Sequence, residues 1–225
     1  GEGRAKTFSS TVIPFDKLGY DFLTARGYIS FDATRHIRIQ FGQDQNFIGN
    51  GYRSLFLSDF AKDYLFLKLS TNVWKFHYQN LFTQLIDYRS ENIADGYIQR
   101  KYAAFHYLIF QPFKNLDIGI FEGVVFGDPD SLTDRGFELH YLNPVIFYRS
   151  VEYALGSSDN VVLGMDWKWN FLQRFQFYGQ VSIDDLQIFE FLKSSGWWGN
   201  KYGLQLGGKY INAFGINQLD LQLEY

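Results

Sequence analysis

Side chains able to recognise a ligand are concentrated in the segment from Phe41 to Ala61, FGQDQNFIGNGYRSLFLSDFA. Arg53 can form charge-assisted hydrogen bonds, either to an acidic ligand or to Asp59. The other polar candidates are Asp44, Asn46 and Ser54, among Phe47, Tyr52, Leu55 and Phe56. This mixture suits a sugar-binding loop, and it also suits a loop that folds into a barrel as a plug. For Arg53 and Asp59 we prefer the plug, because inward-folded loops need internal pairing.

Two other loops carry candidate binding groups. Trp197 and Trp198, in the run GWWGN, can stack on a sugar ring or anchor a loop at a membrane interface, and both interpretations stay open. Asp128, Asp130 and Asp134, in DPDSLTD, supply carboxylates of the kind that Ca²⁺ prefers. Their spacing does not match an EF-hand, so a solvated acidic loop is the preferred interpretation.

Patterns for catalysis and metal binding are missing from the sequence. The chain has no cysteine, which excludes disulfides, thiol catalysis and cysteine metal sites. No nucleophile elbow or catalytic triad can be assembled. The net charge of −3 excludes a strongly basic nucleic-acid binder. The four histidines show no metal-ligand spacing: His36, His77, His106 and His140. We therefore expect a non-catalytic protein without a cofactor and without a nucleic-acid partner.

The elements that must position these groups are β-strands. Aromatic residues make up 20% of the 225 residues and Pro numbers only 4, a balance that favours strands. The clearest alternation places His36, Arg38 and Gln40 on one face, and Ile37, Ile39 and Phe41 on the other. No stretch approaches the roughly 20 apolar residues of a membrane-spanning helix, so any membrane crossing must use strands.

The connections between about ten strand candidates alternate in length, which orients the sheet. Short turns are predicted at 32–35, 71–72, 112–115, 171–173 and 212–217, and long loops separate them. All short turns then lie at one end, provided that 145–155 is a loop rather than an extra pair of strands. Short turns at one end and long loops at the other are typical of an outer-membrane barrel with periplasmic turns and extracellular loops.

The two faces of the predicted strands differ in chemistry. Rings near the strand ends predict interfacial aromatic girdles: Trp74, Tyr78, Trp167, Trp169, Tyr202, Tyr210 and Tyr225. The opposing face carries mixed charges, as a wet lumen would: His36, Arg38, Lys68, Lys75, His77, His106, Asp166, Lys168, Arg174, Lys209, Asp220 and Glu224. Glu122 is an exception on the apolar face. A secreted β-sandwich with a solvated polar face is the alternative, and we favour the membrane barrel.

Several segments together resemble the capsule assembly protein Wzi family, in particular its Bacteroidota branch, which includes the gliding-motility protein RemB. They are the segment from Phe41 to Ala61, WKFHYQNLF, ELHYLNPVIFYRSVEYALGSSDNVVLG and GWWGNKYGLQLGGKY. The matching positions are Gly42, Asp44, Gly49, Gly51, Arg53, Ser54, Leu57, Ser58, Asn143, Pro144, Arg149, Asp159 and Asn160. The resemblance implies an outer-membrane barrel at the cell surface that binds exopolysaccharide and helps attach capsule, or supports gliding. It also makes Arg149 a candidate ligand-binding residue.

The sequence analysis therefore predicts an all-β protein, an antiparallel up-and-down transmembrane barrel of about ten strands. We expect one domain over 1–225, forming part of a larger barrel, because the family's barrels have more strands. The expected partners are outer-membrane lipid, surface polysaccharide and other envelope proteins. A structural subunit of a secretion or gliding-motility complex and a diffusion porin remain as alternatives to polysaccharide binding.

Overall fold

Ten antiparallel strands in one up-and-down sheet dominate the described part of the chain. The computed structural model describes residues 25–86, 100–127, 160–184 and 201–225, together with the backbone of 12–15 and 19–22. Each strand of this sheet pairs with its sequence neighbour, so the first strand, Gly27–Asp32, and the last, Leu221–Glu224, are the sheet edges. The all-β class, the ten strands and the up-and-down order predicted from alternation are confirmed for these residues.

The described strands form two sheets, one of two strands and one of ten. A separate hairpin consists of β1 (Val12–Phe15) and β2 (Gly19–Phe22). The sheet contains β3 (Gly27–Asp32), β4 (Ile37–Asp44), β5 (Tyr64–Val73), β6 (Phe76–Ile86), β7 (Arg100–Phe113), β8 (Leu116–Phe126), β9 (Asn160–Phe171), β10 (Phe175–Asp184), β11 (Lys201–Tyr210) and β12 (Leu221–Glu224). A 3-10 turn, Ala213–Gly215, lies between β11 and β12. No helix among the described residues is long and apolar enough to cross a membrane.

The cross-strand register separates an inner face, which contacts the segment 45–63, from an outer face. Partners in an antiparallel ladder point to the same side, so each paired residue can be assigned to a face. The inner face carries seven of the charged or histidine residues predicted for it: Arg38, Lys68, His77, Asp166, Lys168, Lys209 and Glu224. The outer face carries the alternating apolar residues, including the girdle residues Tyr78, Trp167, Trp169, Tyr202 and Tyr210.

One predicted turn lies elsewhere in the structure. Thr71 and Asn72 belong to β5, and the chain reverses at Trp74 and Lys75. Thr-Asn is a reasonable turn signal, but Asn72 pairs with the ring of His77 from within the ladder.

His106 was placed on the polar face from the sequence, and that prediction is wrong. Its ladder partners are Asn80 and Glu122, and this row of three lies on the outer face. The run around His106, AAFHYLIF, is apolar on both sides, so alternation gave no guide to its face. All three side chains are buried, and the Tyr78 hydroxyl lies 2.7 Å from His106 Nδ1. Next to this row the outer face has a buried apolar cluster: Phe82, Ala104, Val124, Phe126 and Val161.

Candidate functional site

The segment 45–63 connects β4 to β5 and lies against the inner face of the sheet. Its two arms are joined by a backbone bridge in which Ile48 and Leu57 exchange hydrogen bonds of 2.9 and 3.4 Å. Gly49 and Gly51 have φ of 116° and 94°, which side chains rarely tolerate, and they allow the chain to reverse within the bridge. We call residues 49–56 the tip of the segment.

Apolar side chains of the segment complete the core on the inner face. Phe56 stacks on Phe121 of β8 at 4.6 Å between ring centroids and meets the ring of Tyr107 on β7 edge-on at 6.3 Å. Ile48 is buried in the same cluster, with Phe66 of β5. Stacked and edge-on ring pairs stabilise a core beyond the area that they bury. The segment is therefore part of the folded core.

A carboxylate on β9 receives the first polar contact of the tip. Asp166 Oδ2 accepts hydrogen bonds from the Asn50 side-chain amide at 2.6 Å and from the Tyr107 hydroxyl at 2.7 Å. Asp166 is 1% exposed. A buried carboxylate is costly unless it accepts such bonds, so Asn50 and Tyr107 together stabilise the position of the tip.

Three further strands hold the tip through its backbone. Gln180 on β10 accepts from the backbone N–H of Leu55 at 2.9 Å, and Glu224 on β12 accepts from that of Tyr52 at 2.7 Å. Gln205 on β11 donates to the carbonyl of Arg53 at 2.7 Å. These contacts give partners to backbone groups of the tip that no strand ladder pairs.

The tip contacts six neighbouring strands, β7 to β12, on one face. In a flat sheet those strands would spread over about 24 Å. The eight residues of the tip, which also reverse direction, cannot reach so far. The sheet therefore curves around the tip.

The five residues singled out within this segment lie in different environments. Asn46 is buried and accepts a hydrogen bond from Lys68 Nζ at 3.0 Å, and Ser54 Oγ lies 3.3 Å from Gln180 Oε1. Asp44 accepts from the backbone N–H of the next residue at 2.8 Å. Asp59 is exposed. The structure thus brings Asn46 and Ser54 to the inner face and leaves Asp59 at the surface.

Arg53 does not form the internal pair with Asp59 that we preferred from the sequence. Its guanidinium lies over the ring of Phe60, 3.9 Å from the centroid, and no ion pair of Arg53 occurs among the described residues. Arg53 and Phe60 are both exposed. A guanidinium stacked on a ring keeps its N–H groups directed outward in its own plane, where they can bind a carboxylate.

The remaining predicted site residues fall outside the described ranges. These are Arg149, Trp197, Trp198, Asp128, Asp130 and Asp134. Within the described ranges no group of three or more His, Asp or Glu side chains could hold a metal ion.

A cavity of about 950 Å³ opens beside the second arm of the segment, at the end of the sheet where the long connections lie. Its wall is mostly apolar and aromatic, from Leu57, Phe60, Tyr64, Leu85 and Phe105. Lys62, Asp63 and Arg100 add charged groups at the same cavity. Apolar walls with a few polar groups are typical of small-molecule sites, and the exposed ring of Phe60 links this cavity to Arg53.

Residues that hold the tip were only partly accessible to sequence reasoning. Asp166 and Glu224 were recognised as inner-face residues, but their contact with the segment was not. Gln180 and Gln205 gave no signal beyond alternation. The Asn50–Asp166 bond joins residues 116 positions apart, a pairing that no local pattern can predict.

The packing of the tip against the sheet predicts that two strand glycines differ in how well they tolerate a Cβ. A Cβ at Gly164 would lie 2.2 Å from Cε1 of Phe56, whereas one at Gly208 would lie 3.5 Å from its nearest neighbour. We expect Gly164→Ala to lower the free energy of unfolding by about 1–3 kcal/mol through overpacking. The matched variant Gly208→Ala should change it by less than about 0.5 kcal/mol. Denaturant titration of both variants measures the difference, and equal values would contradict this packing of Phe56.

Comparison with known proteins gives no relative for this chain: no family model, curated protein or solved structure matches it.

Proposed function

We propose that this protein is an outer-membrane β-barrel that binds surface polysaccharide through its long-loop end, without catalysis. The resemblance to the Wzi family suggested polysaccharide. The chemistry of the outer face is the observation that supports a membrane location. The segment 45–63 and its neighbouring cavity support polysaccharide binding.

Large apolar side chains are exposed on the outer face of β3 to β5 and of β9 to β12, on either side of the mostly buried middle of β6 to β8. Examples are Ile29, Phe41, Leu65, Met165, Val181, Leu204, Leu206 and Leu223. The inner face is where the charged residues and the tip lie. A water-soluble sandwich would bury its apolar face, so the inverted arrangement favours a lipid environment. The polar row of Asn80, His106 and Glu122 is buried and is not exposed on this surface.

An aromatic band crosses the outer face at the short-turn end. Phe76 stacks on Phe110 at 5.0 Å, Trp169 contacts Phe171 at 5.1 Å, and Phe175 stacks on Tyr210 at 4.5 Å. Trp74, Phe113 and Phe214 extend the band into the turns. Aromatic residues gather in this way where a transmembrane barrel meets the headgroup region. The band therefore supports a membrane boundary at the level of the short turns.

The tip argues against the diffusion-porin alternative. It occupies the inner face across six strands and is held by hydrogen bonds to four of them. A diffusion pore needs a continuous aqueous path along that face. A barrel whose interior holds such a segment is better suited to presenting a rigid surface than to passing solutes.

Polysaccharide binding is assigned to Arg53, Phe60 and the adjoining cavity. Phe60 is 74% exposed, and an exposed ring next to a cavity can stack on the apolar face of a sugar. The guanidinium of Arg53, stacked on that ring, can bind a carboxylate of an acidic sugar, and Arg100 adds a second cation at the cavity. The proposed ligand is therefore an acidic polysaccharide.

Variants at this pair test the proposal directly. Arg53→Gln and Phe60→Ala should each reduce binding of purified acidic polysaccharide by about tenfold, from the loss of one charge-assisted bond or one stacking contact. The readout is retention on cells and a binding isotherm with protein in detergent. Arg35→Gln is the control, because Arg35 is equally exposed but lies at the short-turn end. Unchanged retention in both test variants would leave the structural-subunit alternative, which predicts stable co-purification with envelope proteins instead.

A further inference from the structure

Each of the four tight turns in the sheet carries one exposed cation. They are Arg35 between β3 and β4, Lys75 between β5 and β6, Lys114 between β7 and β8, and Arg174 between β9 and β10. The four turns lie at the same end of the up-and-down sheet. The four charges therefore form a row along one rim, which we call the cationic rim.

The acidic residues of this rim are already engaged. Asp32 forms an ion pair of 2.7 Å with Arg38, and Asp117 forms one of 2.6 Å with Lys168. Both cationic partners belong to the inner face. Asp220, in the longer connection before β12, accepts from the backbone N–H of Asn212 at 3.0 Å. The acids of this end are thus directed to internal partners.

The four rim cations have no carboxylate partner among the described residues. Arg35 donates from Nε to the ring of His36 at 2.8 Å, and Lys75 donates to the carbonyl of Pro112 at 2.6 Å. These neutral acceptors fix the side chains but leave their charge uncompensated. An isolated surface charge in water needs no partner, so the lack of a carboxylate does not by itself indicate a ligand. The position of these charges relative to the aromatic band is the second observation.

The rim lies directly against the aromatic band. Lys75 Nζ is 5.5 Å from the ring centroid of Trp74, and Lys114 follows Phe113, which is 66% exposed. Trp74 and Leu172 are both exposed although their φ values are 53° and 48°, in the left-handed region that disfavours bulky side chains. Such strained backbone persists only where the surrounding structure holds the residue in place. The strained turns place apolar groups at the membrane boundary with a cation beside them.

We infer that the cationic rim binds the anionic headgroups of phospholipids in the leaflet that the short turns face. This inference rests on the proposed membrane location. The aromatic band fixes the rim at headgroup depth, and uncompensated cations at that depth attract anionic lipid. The occupant is a lipid surface rather than a soluble anion, because the charges form a row along the rim instead of converging on one point.

Lipid selectivity measured by electron paramagnetic resonance tests the inference. Full-length protein is reconstituted with spin-labelled phosphatidylglycerol or phosphatidylcholine, and the relative association constants are compared. The native chain should prefer phosphatidylglycerol, and replacing Arg35, Lys75, Lys114 and Arg174 together by Gln should reduce the preference by about fivefold or more, to near equality between the two lipids. Swapping Arg for Lys and Lys for Arg at the four positions should retain it. Lys201→Gln, at the opposite end of the sheet, should also retain it.

The possible outcomes separate this inference from the proposed function. Immobilised lipid of both kinds without preference, or a preference that survives the fourfold Gln variant, would overturn the inference and leave the membrane location intact. Absence of immobilised lipid of either kind would overturn both. Adding inorganic phosphate at constant ionic strength should leave the preference unchanged, and its selective loss would show a soluble-anion site instead of headgroup binding.

Discussion

Phe41→Arg should lower the free energy of unfolding in phospholipid vesicles by about 2–4 kcal/mol, the cost of an arginine near the midplane of a barrel's lipid face. Phe41 lies in the middle of β4, on the outer face, and is 53% exposed. In a water-soluble protein an exposed apolar residue can be replaced by arginine with little change. The variant therefore distinguishes lipid from water around the outer face, and denaturant titration in vesicles gives the value.

Gln40→Arg is the matched control for this experiment. Gln40 is the neighbour of Phe41 in the same strand, but it faces inward and lines a polar cavity of about 600 Å³ at the short-turn end. An arginine there remains solvated by the polar cavity, and like charges directly opposite each other in a ladder, here the new arginine and Lys68, cost only up to about 1 kcal/mol. We expect a change of less than about 1 kcal/mol. Similar costs for the two variants would remove the main argument for a membrane location, since the two faces would then be equivalent.

The sheet could be predicted from sequence because its information is local. Alternation in β4 assigns Ile37, Ile39 and Phe41 to one face, and the same period recurs in most strands. The alternation of short and long connections then gave the up-and-down order. Both signals depend only on residues close in sequence.

The predictions that failed depended on distant pairs or on strained backbone. The turn at Trp74 places a bulky residue in the left-handed region, which turn propensities do not anticipate. The face of His106 follows from its pairing with Asn80 and Glu122, which only the register of three strands determines. The Arg53–Asp59 pair was plausible from composition, but the guanidinium lies over the ring of Phe60 instead.

The same limit applies to the candidate site. The segment from Phe41 to Ala61 could be found from its length and composition, and its inward-folded position was one of two interpretations left open. What holds it could not be found, because Asp166, Gln180 and Glu224 lie more than 100 residues away in the sequence. Long-range hydrogen bonds produce no periodic pattern in the amino-acid sequence. Only the curvature of the sheet brings these residues to one segment.

Phe56→Ala should be the most destabilising single change in the segment 45–63, at about 3 kcal/mol. Its ring stacks on Phe121 and meets Tyr107 edge-on, so truncation leaves a cavity between the segment and two strands. Loosening Tyr107 also weakens its bond to Asp166, the carboxylate that holds Asn50. Denaturant titration of the variant measures the loss.

Phe60→Ala is the matched control, since Phe60 belongs to the same segment but projects into solvent. We expect it to change stability by less than about 0.5 kcal/mol while it reduces polysaccharide binding. A large loss of stability for Phe56→Ala and a loss of binding alone for Phe60→Ala would show that the two residues have different roles. Phe56 would be structural, and Phe60 would bind the ligand. If Phe56→Ala proved as mild as Phe60→Ala, the segment would be a loosely held lid, and the tip would no longer argue against an open pore.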